Sequence, residues 1–320
     1  MSQAPFIHTT VLLEELINGL SLSEGYTAVD CTAGGGGHTA RMLDQTGPSG
    51  TVWAIDRDPV AISNLQKKFA DEAKRGQLIL KHGACSEMLA SITGPVDAIA
   101  ADLGVSSPQL DEADRGFSFM KDGPLDMRMN QKAGPDASEI VATYSQQELT
   151  DIFRKWGEEP KAKFIAQAIV AYREHTPITR TLQLAEIVRG AVHYKTKSKK
   201  HPATKVFQAL RICVNDELGE VEEILEKAMG LLKPGGRLGI ITFHSLEDRI
   251  VKQFFKKASR TAGSRPELRG LPLTESQLEE IHKPDAKIIK PFPVNPTDEE
   301  IAANPRARSA KLRVMEKAVN

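Results

Sequence analysis

The segment Asp102-Leu-Gly-Val-Ser-Ser-Pro-Gln109 gathers a carboxylate, two hydroxyls and a proline within eight residues. Together, Asp102, Ser106, Ser107 and a backbone carbonyl held by Pro108 offer oxygen acceptors. Such a set can take the hydrogens of an amine conjugated to a ring, favour a pyramidal nitrogen and align it for in-line group transfer. No covalent nucleophile is needed for that. Transfer to a ring carbon would instead need a cysteine thiolate here, and Cys31, Cys85 and Cys213 all lie elsewhere. Scattered singly, the three cysteines form neither a disulfide framework nor the paired spacing of a zinc site, and no metal is implied.

A second constellation begins at Asp30-Cys-Thr-Ala-Gly34-Gly35-Gly36-Gly37-His38, between an apolar run and a helical pattern. Glycines there let the backbone approach a ligand that faces the helix N–H groups. Asp56 closes the next apolar run, 22 residues after Gly34 (56 − 34), near the offset at which a carboxylate accepts hydrogen bonds from ribose hydroxyls. The loop alone does not select a cofactor. Gly35, Gly37 and Ala40 also satisfy G-x-G-x-x-G/A, so a nicotinamide oxidoreductase stays open, and His38 reads either as a donor to a ligand or as a histidine satisfied by backbone.

These groups need a scaffold, and the pattern supplies one. Apolar runs at Tyr26–Cys31, Thr51–Ile55, Gln77–Lys81 and Val96–Leu103 alternate with helical stretches, which predicts a parallel sheet covered by helices on both faces. Asp58-Pro59 reads as a helix cap followed by proline at the first helical position. After Pro108 the alternation stops. Residues 109–211 carry amphipathic helical spacing at Gln147–Lys155, Lys161–Arg173 and Leu182–Val192 and no convincing strand, which predicts an inserted helical domain. An acidic helix from Asp216 leads to Lys233-Pro-Gly-Gly236 and a strand through Phe243, so 1–108 and 212–320 form the α/β domain. Ala258–Asn304, rich in proline and polar residues, reads as an excursion or mobile loop before a final alternation at Leu312–Val314.

Composition narrows the classes. In 320 residues, 42 basic and 42 acidic side chains balance, so nothing steers the whole molecule to a polyanion and any nucleic-acid surface must be local. Seven cations lie between Arg189 and Arg211 with no acid among them, and Arg306, Arg308, Lys311 and Arg313 form a second cluster. No signal-peptide pattern or long apolar run is present, which gives the expectation of a cytoplasmic protein with no membrane partner.

With these motifs on the page, the chain resembles the bacterial 16S ribosomal RNA (cytosine-N(4)) methyltransferases, the MraW or RsmH family. The resemblance covers nearly the whole length. It rests on His8-Thr-Thr-Val-Leu-Leu-Glu14, the Gly34–His38 loop, Ala54-Ile-Asp-Arg-Asp-Pro59, and Asp102–Leu110 continuing into Arg115-Gly-Phe-Ser-Phe-Met120. Further matches are Gly123-Pro-Leu-Asp-Met-Arg128, His201-Pro-Ala-Thr204, Phe207-Gln-Ala-Leu-Arg211, Phe243-His-Ser-Leu-Glu-Asp-Arg249 and Asn304-Pro-Arg-Ala-Arg-Ser309.

The resemblance implies a class I, Rossmann-like methyltransferase sheet interrupted by an all-helical substrate-binding domain. It implies S-adenosylmethionine bound by Gly36, Gly37, His38, Asp56, Cys85, Asp102 and Gln109. The Cys85 position is commonly aromatic in the family. The implied substrate is a cytidine of the decoding centre in 16S rRNA, within the 30S subunit, and a homodimer is allowed. The basic segments then become phosphate-contacting surfaces, with Lys197, Lys199, Lys200, Lys205, Arg211, Arg306 and Arg308 as candidates. Phe243 and His244 are candidates beside the target base, with Phe117 and Phe119 as further aromatics able to stack on it. A non-catalytic RNA chaperone that has kept the fold is the remaining alternative.

Overall fold

The computed structural model describes residues 10–192, 201–260, 274, 283–291 and 293–319. Two compact units emerge, residues 1–104 with 218–320 and residues 105–217, within a few residues of the divisions at 108/109 and 211/212.

The first unit is built on a seven-stranded sheet. Its strands are β1 (Thr27–Asp30), β2 (Thr51–Asp56), β3 (Leu78–His82), β4 (Val96–Asp102), β5 (Leu232–Thr242), β6 (Ala286–Ile288) and β7 (Lys311–Lys317). The order is β3-β2-β1-β4-β5-β7-β6. The first five strands run parallel to one another, and β7 is antiparallel to both β5 and β6. This is the class I, Rossmann-like methyltransferase arrangement. The chain reverses its order between β1 and β4, which opens a crevice at the carboxyl ends of those strands.

Apolar side chains fill both faces of the sheet. Val29, Ile99, Ala101, Leu238 and Phe255 belong to one core, and Leu12, Leu16, Ala28, Ala98, Ala100 and Ile241 to the other. That two-sided burial is why β4 reads as a continuous apolar run rather than an alternation. Asp58 caps the helix Pro59–Lys68 by accepting from the Val60 amide at 2.9 Å, as its sequence predicts.

Two expectations change. Residues 258–304 hold more than an excursion: β6 extends the sheet and Asp298–Ala303 is a helix. A three-residue edge strand has no periodicity to read, and its partner β7 is supplied only by the fold. Lys233-Pro-Gly-Gly236, expected to lead into the strand, lies inside β5, where the pairing with β4 jumps from Val96↔Leu232 to Ala98↔Arg237 in a bulge.

The second unit is helical, with helices Ala137–Thr143, Gln146–Lys155, Ala162–Arg173, Thr181–Ala191 and Ala203–Asn215. Among its described residues the one β-type pairing outside a strand is an isolated bridge between Pro124 and Arg180. It has its own core, centred on Phe153, Ile165, Ile169, Leu184 and Leu210. Among the described residues no helix is long and apolar enough to cross a membrane.

Candidate active site

Three adjacent parallel strands of the first unit, β2, β1 and β4, each end in an aspartate: Asp56, Asp30 and Asp102. Register sets their depth. Asp30 lies level with Ala54 and Ala100, two residues before Asp56 and Asp102, and is only 1% exposed. Its Oδ2 accepts from Thr39 Oγ1 at 2.6 Å and its Oδ1 from the Thr32 amide at 3.2 Å. Thr32 Oγ1 in turn accepts from the Asp102 amide at 2.6 Å, which ties the end of β4 to the turn after β1.

Asp56 holds that turn from the other side. Its Oδ2 accepts from the Gly34 amide and its Oδ1 from the Asp58 amide, each at 2.8 Å. Each carboxylate oxygen keeps a second lone pair for a ligand hydroxyl. Burial raises the carboxyls of Asp30 and Asp56 to about 6 against these hydrogen bonds. Asp102 goes furthest: burial first, then the neighbouring carboxylates of Asp30 and Glu247, hold it well above the usual carboxylate range. Part of the Asp102 residue reaches solvent, but its Oδ1 is enclosed and has no hydrogen-bond partner. Among the described residues no cation pairs with any of the three.

The glycine turn answers to packing as well as to any ligand. Gly36 has φ +74°, and a Cβ there would stand 2.6 Å from Leu65 Cδ2 and 2.7 Å from Phe69 Cε2. A Cβ on Gly37 would fall 1.8 Å from Thr10 Oγ1. His38 is buried, with Nε2 3.2 Å from the Val11 carbonyl, which is the backbone-satisfied arrangement for that nitrogen. Cys85, at the start of the helix Cys85–Leu89, is buried, and burial followed by the adjoining Cys31 thiol pushes its own thiol up.

The segment after β4 enters the second unit. Ser106 precedes the short helix Ser107–Asp111, with Pro108 in its first turn, and Gln109 is buried with Oε1 accepting from the Ser106 amide at 3.0 Å. Ser106 and Ser107 are half-exposed. At the end of β5, Glu247 Oε2 accepts from the Phe243 amide at 2.9 Å and the His244 amide at 3.3 Å, fixing both residues at the head of the helix Ser245–Ala258.

The basic candidates separate. Lys197, Lys199 and Lys200 lie outside the described residues. Arg306 and Arg308 are exposed, whereas Arg313 of the same cluster is 4% exposed and pairs with Asp248 through two hydrogen bonds, so it is no phosphate contact. Arg211 makes a two-bond pair with Glu217 at 2.7 and 2.8 Å, which uses its charge inside the helical unit. Phe117 is buried, and Phe119 is half-buried with His201 and Phe207 packed beside it, each ring centroid 4.8 Å away.

The family model for the MraW methylase family matches residues 5–318. The chain belongs to that family. It is therefore an S-adenosylmethionine-dependent methylase, and its substrate class is ribosomal RNA. Among solved structures it is similar to a candidate rRNA methylase from Clostridium thermocellum (14% identity, covering 98% of this chain and 99% of that one, TM-score 0.45). It is also similar to a candidate methyltransferase from Streptococcus mutans in complex with SAH (13%, 99% and 99%, TM-score 0.41) and to an rRNA methylase from Streptococcus thermophilus (12%, 99% and 99%, TM-score 0.41).

The donor set of the methylase fits its cofactor by charge. S-adenosylmethionine brings a sulfonium and an ammonium, and three buried carboxyls without a countercharge favour such a cation. A dinucleotide would bring a diphosphate to the same carboxylates, so the nicotinamide reading of the glycine loop falls with the family assignment. Sequence reasoning assigned no role to Asp30 or Thr32, although both stand in the stretch that opens the glycine loop. It also missed Glu220, which accepts from the Ser86 amide and hydroxyl and pairs with Arg57 at 3.2 Å, because those partners lie far apart in sequence.

Two outcomes follow from this electrostatic arrangement. Asp30 and Asp56 titrate near 6 when folded and near 4 when unfolded, so the native state binds more protons between those values. Chemical denaturation of the ligand-free protein is expected to show stability falling as pH rises from about 4 through 6, by on the order of 2–3 kcal/mol per group. Asp30→Asn is expected to flatten that slope, and an unchanged slope would count against the assignment. Separately, Gly36→Ala is expected to lose about 1–3 kcal/mol of stability in the same denaturation experiment, through overpacking against Leu65 and Phe69 and a left-handed backbone.

Proposed function

We propose that this methylase transfers a methyl group to the exocyclic N(4) amine of a cytidine in the decoding centre of 16S rRNA, within the 30S subunit. The observation that carries the reading is the enclosed, unpartnered Oδ1 of Asp102 at the carboxyl end of β4, beside two further buried carboxyls. An acceptor left unmade in that position costs free energy unless a ligand supplies the donor.

S-adenosylmethionine supplies an electrophilic methyl on a positively charged sulfur, which departs as a neutral thioether. The chain's own residues do the rest. Asp56 receives ribose hydroxyls on the free lone pairs of its oxygens, while the turn at Gly36 and Gly37, with His38, lines the cofactor's path. Cys85 and Gln109 complete its surroundings. Asp102 offsets the cofactor's positive charge and accepts a hydrogen from the target amine. That hydrogen bond withdraws the nitrogen lone pair from the ring and directs it towards the methyl carbon. Ser106, Ser107 and a carbonyl fixed by Pro108 supply the other acceptors. Once methylated, the amine nitrogen would carry one proton too many, and that proton would pass to solvent.

Phe243 and His244, held by Glu247, contact the target nucleoside. The helical unit recognises the RNA, and exposed Lys205, Arg306 and Arg308 with Lys197, Lys199 and Lys200 bind phosphates. Arg211 leaves this set because Glu217 already takes its charge.

Nucleoside mass spectrometry of 30S subunits treated with the purified protein is expected to show N(4)-methylcytidine. Asp102→Asn should lower the rate about 10²-fold or more while RNA binding persists. Methyl on a ring carbon or a ribose, or full activity in the variant, would overturn the reading. Retained RNA binding with no transfer by the wild-type protein would favour a chaperone. Because burial and the neighbouring carboxylates raise the Asp102 carboxyl in the ligand-free protein, calorimetry over a range of pH in buffers of different ionisation enthalpy should register proton release on cofactor binding, and less of it in Asp102→Asn.

A further inference from the structure

On the helical unit, the helix Ala162–Arg173 (Ala-Lys-Phe-Ile-Ala-Gln-Ala-Ile-Val-Ala-Tyr-Arg) contains no acidic residue. Its inward face buries Ala162, Ile165, Ala166 and Ile169. The outward face is unusual for a solvated helix. Phe164 is 56% and Tyr172 39% exposed, eight residues apart and so roughly 12 Å along the axis. Lys163 is exposed between them, and Lys161 just before the helix sets its Nζ 5.5 Å from the Phe164 ring centroid. The Tyr172 hydroxyl accepts from Gln183 Nε2 at 3.4 Å.

The turn that leads into the helix continues this character. Lys155 Nζ stands 5.3 Å from the Trp156 ring centroid, and exposed Lys205 donates to the Glu158 carbonyl at 2.8 Å. From Ile152 to Arg173 there are five cations (Arg154, Lys155, Lys161, Lys163, Arg173) and two acids, Glu158 and Glu159, of which Glu159 is buried.

We propose that this face, with Lys161, Lys163, Phe164 and Tyr172 at its centre, is a docking surface for unpaired nucleotides of the RNA substrate. The inference rests on the ribosomal RNA reading above and adds a contact surface that neither basic segment nor the strand-end crevice contains. Aromatic rings held out of the core next to lysines match the two parts of a nucleotide: a base stacks on the ring and its phosphate meets the ammonium. A second copy of the chain is a poorer occupant, since a two-fold contact through this helix would set its lysines against each other with no acid on the helix to offset them.

The test uses the full-length protein with a fluorescent single-stranded fragment of 16S rRNA and with 30S subunits, titrated by anisotropy and by filter binding at several salt concentrations. Lys161→Glu/Lys163→Glu should weaken binding and reduce the salt slope by between one and two counterions. Phe164→Ala should weaken binding on the order of tenfold with the slope unchanged. Lys74→Glu, on the exposed surface of the sheet unit, should bind as wild type, and cofactor calorimetry on each variant reports that the fold is intact.

Wild-type affinity and slope in both central variants would overturn the proposal, as would an effect confined to a change of oligomeric state in sedimentation. The site of methylation, read by mass spectrometry on wild type, is independent of these arms. A wrong cytidine or wrong atom would therefore sink the functional reading without touching the surface, and the reverse also holds.

Discussion

The constraint on which the rest of this structure depends is the burial of three carboxyls at the ends of adjacent parallel strands with no basic side chain among the described residues to neutralise them. Asp30, Asp56 and Asp102 are brought side by side by the order β2-β1-β4, and the low-dielectric surroundings make their negative charges costly. A fold selected for stability alone would place an arginine or an apolar side chain there. The protein instead keeps a site whose natural complement is a positively charged ligand, and a sulfonium donor is such a ligand.

Much of the surrounding detail serves to hold that arrangement open. Asp56 spends one lone pair of each oxygen on the amides of Gly34 and Asp58, which fixes the turn while leaving acceptor capacity on the ligand side. Thr32 links the turn after β1 to the amide of Asp102, so the backbone around this carboxyl is positioned without using the carboxyl itself. Glu220 joins Arg57 after β2 to the first turn of the helix Cys85–Leu89 and thereby secures the opposite wall. Asp102 Oδ1 is among the few buried side-chain atoms left without a hydrogen bond in the described residues, and such atoms mark where a site can meet a ligand.

The helical unit follows a different logic. It has its own core around Phe153 and Leu210, and ion pairs such as Arg211 with Glu217 spend some of its cations internally. Counting basic residues in the chain therefore overstates the charge offered to RNA. Arg313 makes the same point in the sheet unit, where a residue inside a basic cluster turns out to be the buried partner of Asp248.

Local chemistry determined a good deal by itself. The alternation of apolar runs and helical spacing, the Asp58-Pro59 cap and the strand-to-glycine transition depend on neighbours within a few residues, so the parallel sheet, the helical segment after β4 and the glycine turn between β1 and the next helix were legible in the sequence. Only the tertiary structure decided which charges are free, that β6 exists as an edge strand on β7, that Gly36 and Gly37 answer to Leu65, Phe69 and Thr10, and that Asp30 lies beneath Asp56 and Asp102. Each of those depends on residues far apart in the chain meeting across the sheet, and burial, which sets both ionisation and availability, has no local signature in the order of amino acids.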